Sequence, residues 1–333
     1  MTDVFGTLSD GREVHRIRIS GGGLSASILT WGAVLQDLRL EGHAPPLVLG
    51  FEDIGSYLAH SPYFGATAGR CANRIRGGSF EIDGRTFHTD RNGGGGHTLH
   101  GGSQGIGKRL WTLEQVTDHS VELTIEDADG HMGFPGALSI RAVFTLLPAG
   151  VLDIRYTAET DAPTLCNLAH HSYFALDDTG GVREHRMGIE ADAYLPADGD
   201  FLATGEVRAV AGTPYDFRQG RTIREANEGG PIDTNFCLSR ERRPIRPVAW
   251  LSSAASGVEM VIRTTEPGLQ VYDAARLDIP VPGLGGRRMG PFCGVALEPQ
   301  VWPDAIHHPD WPQAVLRPGE TYDQHTQFIF RQV

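Results

Sequence analysis

Leu138-Ser139-Ile140-Arg141-Ala142-Val143-Phe144-Thr145-Leu146-Leu147-Pro148-Ala149-Gly150-Val151-Leu152-Asp153-Ile154-Arg155-Tyr156 decides the fold. Two runs rich in apolar and β-branched residues, 140–147 and 151–156, flank the turn signal Pro148-Ala149-Gly150. Such a pair reads as two antiparallel strands. Working outward, residues 79–87 alternate apolar and polar side chains around Asp83-Gly84, the residue pair of a tight hairpin turn. Residues 121–125, 187–191, 258–264 and 327–330 are further strand candidates, whereas only short segments such as 221–227 suit a helix. The chain has 43 glycines and 20 prolines among 333 residues. Short strands with this punctuation predict an all-β fold, a large antiparallel β-sandwich with few short helices. Without a repeat, a low-complexity linker or a shift in composition, residues 1–333 read as a single domain. An antiparallel sheet buries one face and can leave the other for binding.

Charge and composition narrow the function. The chain carries 41 acidic and 29 basic residues, a formal net charge of -12. With no basic block, nucleic acid is not an expected partner, since phosphate neutralisation needs clustered Lys or Arg. Lys108 is the only lysine and Arg109 follows it, which excludes a GK[ST] phosphate loop. No apolar run approaches the roughly 18 residues of a membrane span. The first ten residues lack the basic and apolar regions of a signal peptide. Cys71, Cys166, Cys237 and Cys293 are scattered, which suits a reduced, cytoplasmic protein.

Several segments could carry chemistry. In 167–174, strand alternation puts Asn167, Ala169, His171 and Tyr173 on one face and Leu168, His170, Ser172 and Phe174 on the other. The adjacent histidines therefore diverge, which argues against one shared metal. Either could be an acid or base near neutrality, or a hydrogen-bonded structural residue. In 294–304, Glu298 shares a face with Ala296 and Gln300 while Val295 and Leu297 turn to the core. A carboxylate there is a structural ion-pair partner or a desolvated base, and the pattern leaves both open. Six glycines surround His97 and His100, suggesting a loop whose backbone approaches a ligand. The H-x-x-H spacing lacks the helical and acidic context of a zinc site. Asn73 and Arg74 sit between apolar residues and suit recognition of vicinal hydroxyls, or structural pairing. Asp233 and Gln270 offer a carboxylate and an amide in similar settings, and Asp304 reads as a local cap.

In order, these motifs resemble the aldose 1-epimerase (galactose mutarotase) family. The resemblance spans Asp10-Gly11, Trp31-Gly32-Ala33, residues 48–51, 65–75 and 99–102, Gly133-Phe134-Pro135-Gly136, 167–174, 233–237, 267–272 and 297–322. It implies a galactose mutarotase-like β-sandwich and an isomerase that interconverts the α- and β-anomers of free aldohexoses such as galactose or glucose. It makes His171 the general acid and Glu298 the general base. Arg74 with Asn73, His100, Asp233 and Gln270 would bind the sugar. The implied reaction needs no cofactor and no metal. His170 stands where Asn is common in the family, Pro299 where Thr is usual, and the run of four glycines is looser. Lys108 reads as structural. The alternatives are a mutarotase of another aldose or of a hexose phosphate, which would need more than the exposed-looking arginines at 240–243 and 287–288, or a non-catalytic sugar-binding protein. The expected partner is a small sugar, with no membrane, in a monomer or homodimer.

Overall fold

The structure, a computed structural model, describes residues 1–333. The apolar runs 140–147 and 151–156 fall in the strands Leu138–Leu147 and Val151–Thr160, paired residue for residue from Leu138↔Thr160 to Leu147↔Val151. Ala149 and Gly150 take positive φ in the turn. Asp83 and Gly84 do the same between Ser79–Ile82 and Arg85–His88, matching the right-handed twist of a hairpin.

These strands belong to a nine-stranded antiparallel sheet. Its order is Thr112–Val116, Ser120–Asp127, Leu138–Leu147, Val151–Thr160, Tyr322–Gln332, Val258–Thr264, Arg246–Ser253, Arg186–Ile189 and Arg221–Thr222. A six-stranded sheet runs Tyr173–Phe174, Val295–Gln300, Gly268–Tyr272, Asp233–Cys237, Ala193–Leu195 and Arg208–Ala209. A four-stranded meander covers residues 2–40. Phe144, Leu152, Ile154 and Phe328 of the first sheet pack with Leu269, Val271, Val295 and Leu297 of the second in one cluster of 54 buried residues. Each buried aliphatic side chain there contributes about 1.5–3 kcal/mol.

Two short α-helices are present. Residues 221–227 divide into the strand Arg221–Thr222 and the helix Ile223–Ala226, which Thr222 and Glu225 close with a reciprocal capping box. Ile54–His60 is a helix that the sequence reading lacked; Asp53 caps it by accepting from the Ser56 N–H at 2.8 Å. Seven residues are too few to establish a 3.6-residue period. No helix is long and apolar enough to cross a membrane.

Candidate active site

The six-stranded sheet turns Val295, Leu297, Leu269 and Val271 to the core, so alternate residues must face the other way. Asn235 pairs with Gln270 and Gln270 with Glu298, which forms a polar rung across three strands. On the next rung Asp233 pairs with Tyr272, Tyr272 with Ala296, and Ala296 with Tyr173. Loops cover this face and leave a cavity of about 210 Å³. Its walls hold every sugar-site residue expected from the sequence: Asn73, Arg74, His100, His171, Asp233, Gln270 and Glu298.

His171 lies on Ala169–His171, paired with Ala66–Ala68. Its Nε2 is 3.5 Å from the Glu298 Oε1. The neighbouring His170 goes to the opposite side as expected, against Phe144 and Phe328, with Nε2 2.8 Å from the Ser172 hydroxyl. Burial pushes the His170 imidazole down to about 3, so it stays neutral inside the core.

His100 enters from a tight turn. A Cβ on Gly101, where φ is +82°, would lie 2.1 Å from the Gly69 carbonyl oxygen, so only glycine permits this approach. The His100 N–H donates to the Asn73 carbonyl (2.9 Å), and the Asn73 N–H donates to His100 Nδ1 (3.2 Å). An accepting Nδ1 leaves the proton on Nε2, making His100 a donor from that atom. His97 does not join it: its Nδ1 accepts from the Gly77 N–H at 2.9 Å. The run of four glycines is absent from the cavity wall, so it does not bring backbone to a ligand there.

Asp233 accepts from Gln270 Nε2 at 2.7 Å and from Arg276 at 3.0 Å. Arg74 forms no ion pair, and its Nε, the Glu298 Oε2 and the His171 Nδ1 are buried without a hydrogen-bond partner in the protein. Buried polar atoms are nearly always bonded. Three such atoms in one cavity suit a hydroxyl-rich ligand.

Electrostatics follow from burial. Glu298 is raised well above the usual carboxylate range, first by burial and then by the charge of Asp233, with Arg74 opposing. Burial pushes His171 down to about 4 and His100 well below its ordinary value. Between the lowered His171 value and the raised Glu298 value the pair holds one proton, as neutral His171 with protonated Glu298 or as imidazolium with carboxylate. The two forms differ only by a proton shift across 3.5 Å.

His100, His171 and Glu298 offer donor atoms within 4.8 Å of one another, a spacing that could also hold a metal ion. The tautomer weighs against it, because the protonated Nε2 of His100 presents a hydrogen and not a lone pair. Activity is expected to survive exhaustive chelation within about twofold. A loss reversed by added zinc would contradict that expectation.

Sequence reasoning missed Tyr63, Arg276 and Phe201. The Tyr63 ring packs tilted against His100, centroids 4.6 Å apart, and carries the Lys108 ammonium 4.8 Å from its ring centre. Lys108 does not itself line the cavity and backs Tyr63, which does. Of the arginines expected to be exposed, Arg240, Arg242, Arg243 and Arg288 are, Arg242 while pairing with buried Glu266 at 2.7 Å; Arg287 is half-buried and donates to the Asp177 carbonyl.

A sequence model of the aldose 1-epimerase family matches residues 15–328. The chain belongs to the aldose 1-epimerase family. It is 38% identical to galactose mutarotase from Bos taurus, over 98% of this chain and 97% of that one. It is 32% identical to aldose 1-epimerase from Escherichia coli K12, over 96% of each. A solved aldose epimerase homologue from C. elegans superposes with a TM-score of 0.90 at 31% identity, covering 96% of this chain and 99% of that one. The sandwich is the fold of these aldose 1-epimerase structures, and the activity class is that of an isomerase, a mutarotase.

Proposed function

We propose that the protein interconverts the α- and β-anomers of free aldohexoses such as galactose or glucose, with Glu298 as general base and His171 as general acid. The observation that carries this reading is the buried His171–Glu298 pair at 3.5 Å beside unpartnered polar atoms.

The chemistry balances without any other reactant. Glu298 takes the proton from the C1 hydroxyl as that oxygen becomes a carbonyl. The C1–O5 bond breaks, its electron pair stays on O5, and His171 delivers a proton there. The C1–C2 bond rotates in the open aldehyde, and both transfers reverse on closure. Each positioned acid or base is worth about 10²–10⁴ in rate. His100 Nε2–H and Arg74 stabilise negative charge growing on oxygen. Asp233 and Gln270, with Asn73, hold the remaining hydroxyls while C1 turns. The charge on Arg74 favours the imidazolium–carboxylate form of the pair, since it opposes protonation of Glu298. Residues 1–333 work as one unit in this reading, because the main core draws on side chains from Ile17 to Phe330.

A pH profile follows. The one-proton state of the pair persists between the lowered His171 value of about 4 and the raised Glu298 value. Below about pH 4 both groups are protonated, and far above the carboxylate range neither is. The kcat/KM is expected to fall below about pH 4, to hold above it, and to fall again where Glu298, raised well above the usual carboxylate range, loses its proton. An acid limb half-maximal near 6.5, the ordinary histidine value, would contradict the shared proton.

The test of substrate class is polarimetry on freshly dissolved α-anomers of several aldoses and their phosphates. Free aldohexoses are expected to respond. A response confined to phosphates would overturn that part of the reading.

A further inference from the structure

Beside the cavity, an aromatic side chain with no part in the proton transfers packs on two of the arginines that line it. Phe201 is 37% exposed and adopts φ +62°, a strained conformation for a bulky residue. The strain is held by Asp198, whose Oδ1 accepts from the N–H groups of Asp200 (2.9 Å) and Leu202 (3.1 Å). The Phe201 N–H also donates to the Asp198 carbonyl at 3.0 Å. A tight loop thus thrusts one phenyl ring outward.

Two guanidinium groups pack on that ring. Arg276 lies 3.8 Å from its centroid and Arg74 5.4 Å. Arg276 in turn bonds Asp233, which also accepts from Gln270. The glycine run meets the same loop: a Cβ on Gly95, at φ +69°, would lie 2.8 Å from the Asp200 carboxylate carbon. Gly95 therefore gives room to the loop that carries Phe201.

We propose that Phe201 is a positioning residue for sugar binding: it clamps Arg74 and Arg276, and through Arg276 the Asp233 carboxylate, in the orientation the sugar meets. Arg74 has no carboxylate to hold it, so the aromatic face takes that part. Long arginine side chains lose conformational freedom when ordered. A ring that orders them beforehand lowers the entropy lost on binding. The ligand's identity as an aldose rests on the mutarotase reading; the clamp itself does not.

The experiment compares wild type, Phe201→Ala and Phe201→Tyr, with KM and kcat from polarimetry and Kd for D-galactose from calorimetry. Phe201→Ala is expected to raise KM and Kd by about tenfold, as for the loss of two cation–π contacts. The kcat should stay within about threefold and the melting temperature should hold. Phe201→Tyr keeps the aromatic face and should restore both constants. Unchanged Kd in Phe201→Ala, or a fall in kcat with Kd unchanged, would overturn the clamp. A wild type that binds galactose but catalyses nothing would sink the mutarotase reading, while the Kd comparison would still decide the clamp.

Discussion

Glu298→Gln is expected to lower kcat by about 10²–10⁴, and His171→Asn by a similar factor, since each removes one positioned proton carrier. The amide introduced by Glu298→Gln is nearly isosteric with the carboxyl group and can neither gain nor lose a proton at neutral pH. Its oxygen would still face His171, so the fold and the sugar pocket should persist and KM should change little. That split marks an interaction used in the transition state and not in ground-state binding. Because the two groups share one proton, their losses should not add. The double variant should be scarcely slower than the worse single variant. Multiplicative losses would mean that the groups act independently, against their 3.5 Å separation. Near wild-type rates in both folded single variants would end the mechanism.

Arg70→Met is expected to destabilise the fold by about 3–5 kcal/mol, the range for breaking a buried ion pair by removing one partner. Arg70 is 1% exposed. Its Nε donates to the Asp127 carboxylate at 2.6 Å, and its other nitrogens reach the carbonyls of Pro135 (3.0 Å), Gly136 (2.8 Å) and Asp127 (2.9 Å). Methionine fills much of the volume but leaves those acceptors without donors. Asp127 keeps Arg109 and His131, so its charge is not fully stranded. Denaturant unfolding measures the change. A loss under about 1 kcal/mol, the net worth of an ordinary hydrogen bond, would show that the network adds little. Activity per folded molecule should remain near wild type.

That contrast explains what the sequence could and could not reveal. Gly69-Arg70-Cys71-Ala72-Asn73-Arg74 holds two arginines four residues apart, one structural and one in the cavity. Pattern alone offered pairing and hydroxyl binding as alternatives. The deciding fact is that Arg70 meets the Gly133-Phe134-Pro135-Gly136 turn, more than 60 residues away. Strand alternation, by contrast, is local physics. It separates His170 from His171, and Glu298 from Val295 and Leu297, from the order of residues alone. His97 and His100 lie in loops, where no period assigns a direction. There the Gly77 N–H and the Asn73 N–H decide which ring reaches the cavity. Tyr63, Phe201 and Arg276 were illegible for the same reason: each sits on a chain reversal or at a strand end, and their meeting depends on tertiary closure.

The most direct test is proton exchange spectroscopy on equilibrated D-galactose, which follows magnetisation moving between the anomeric protons of the α and β forms. Nothing is consumed at equilibrium, so any added exchange is anomer interconversion itself. Wild-type protein is predicted to speed that exchange in proportion to its concentration, and the Glu298→Gln protein to restore nearly the rate of buffer. Exchange in wild type no faster than in buffer, across the aldohexoses, would contradict the account.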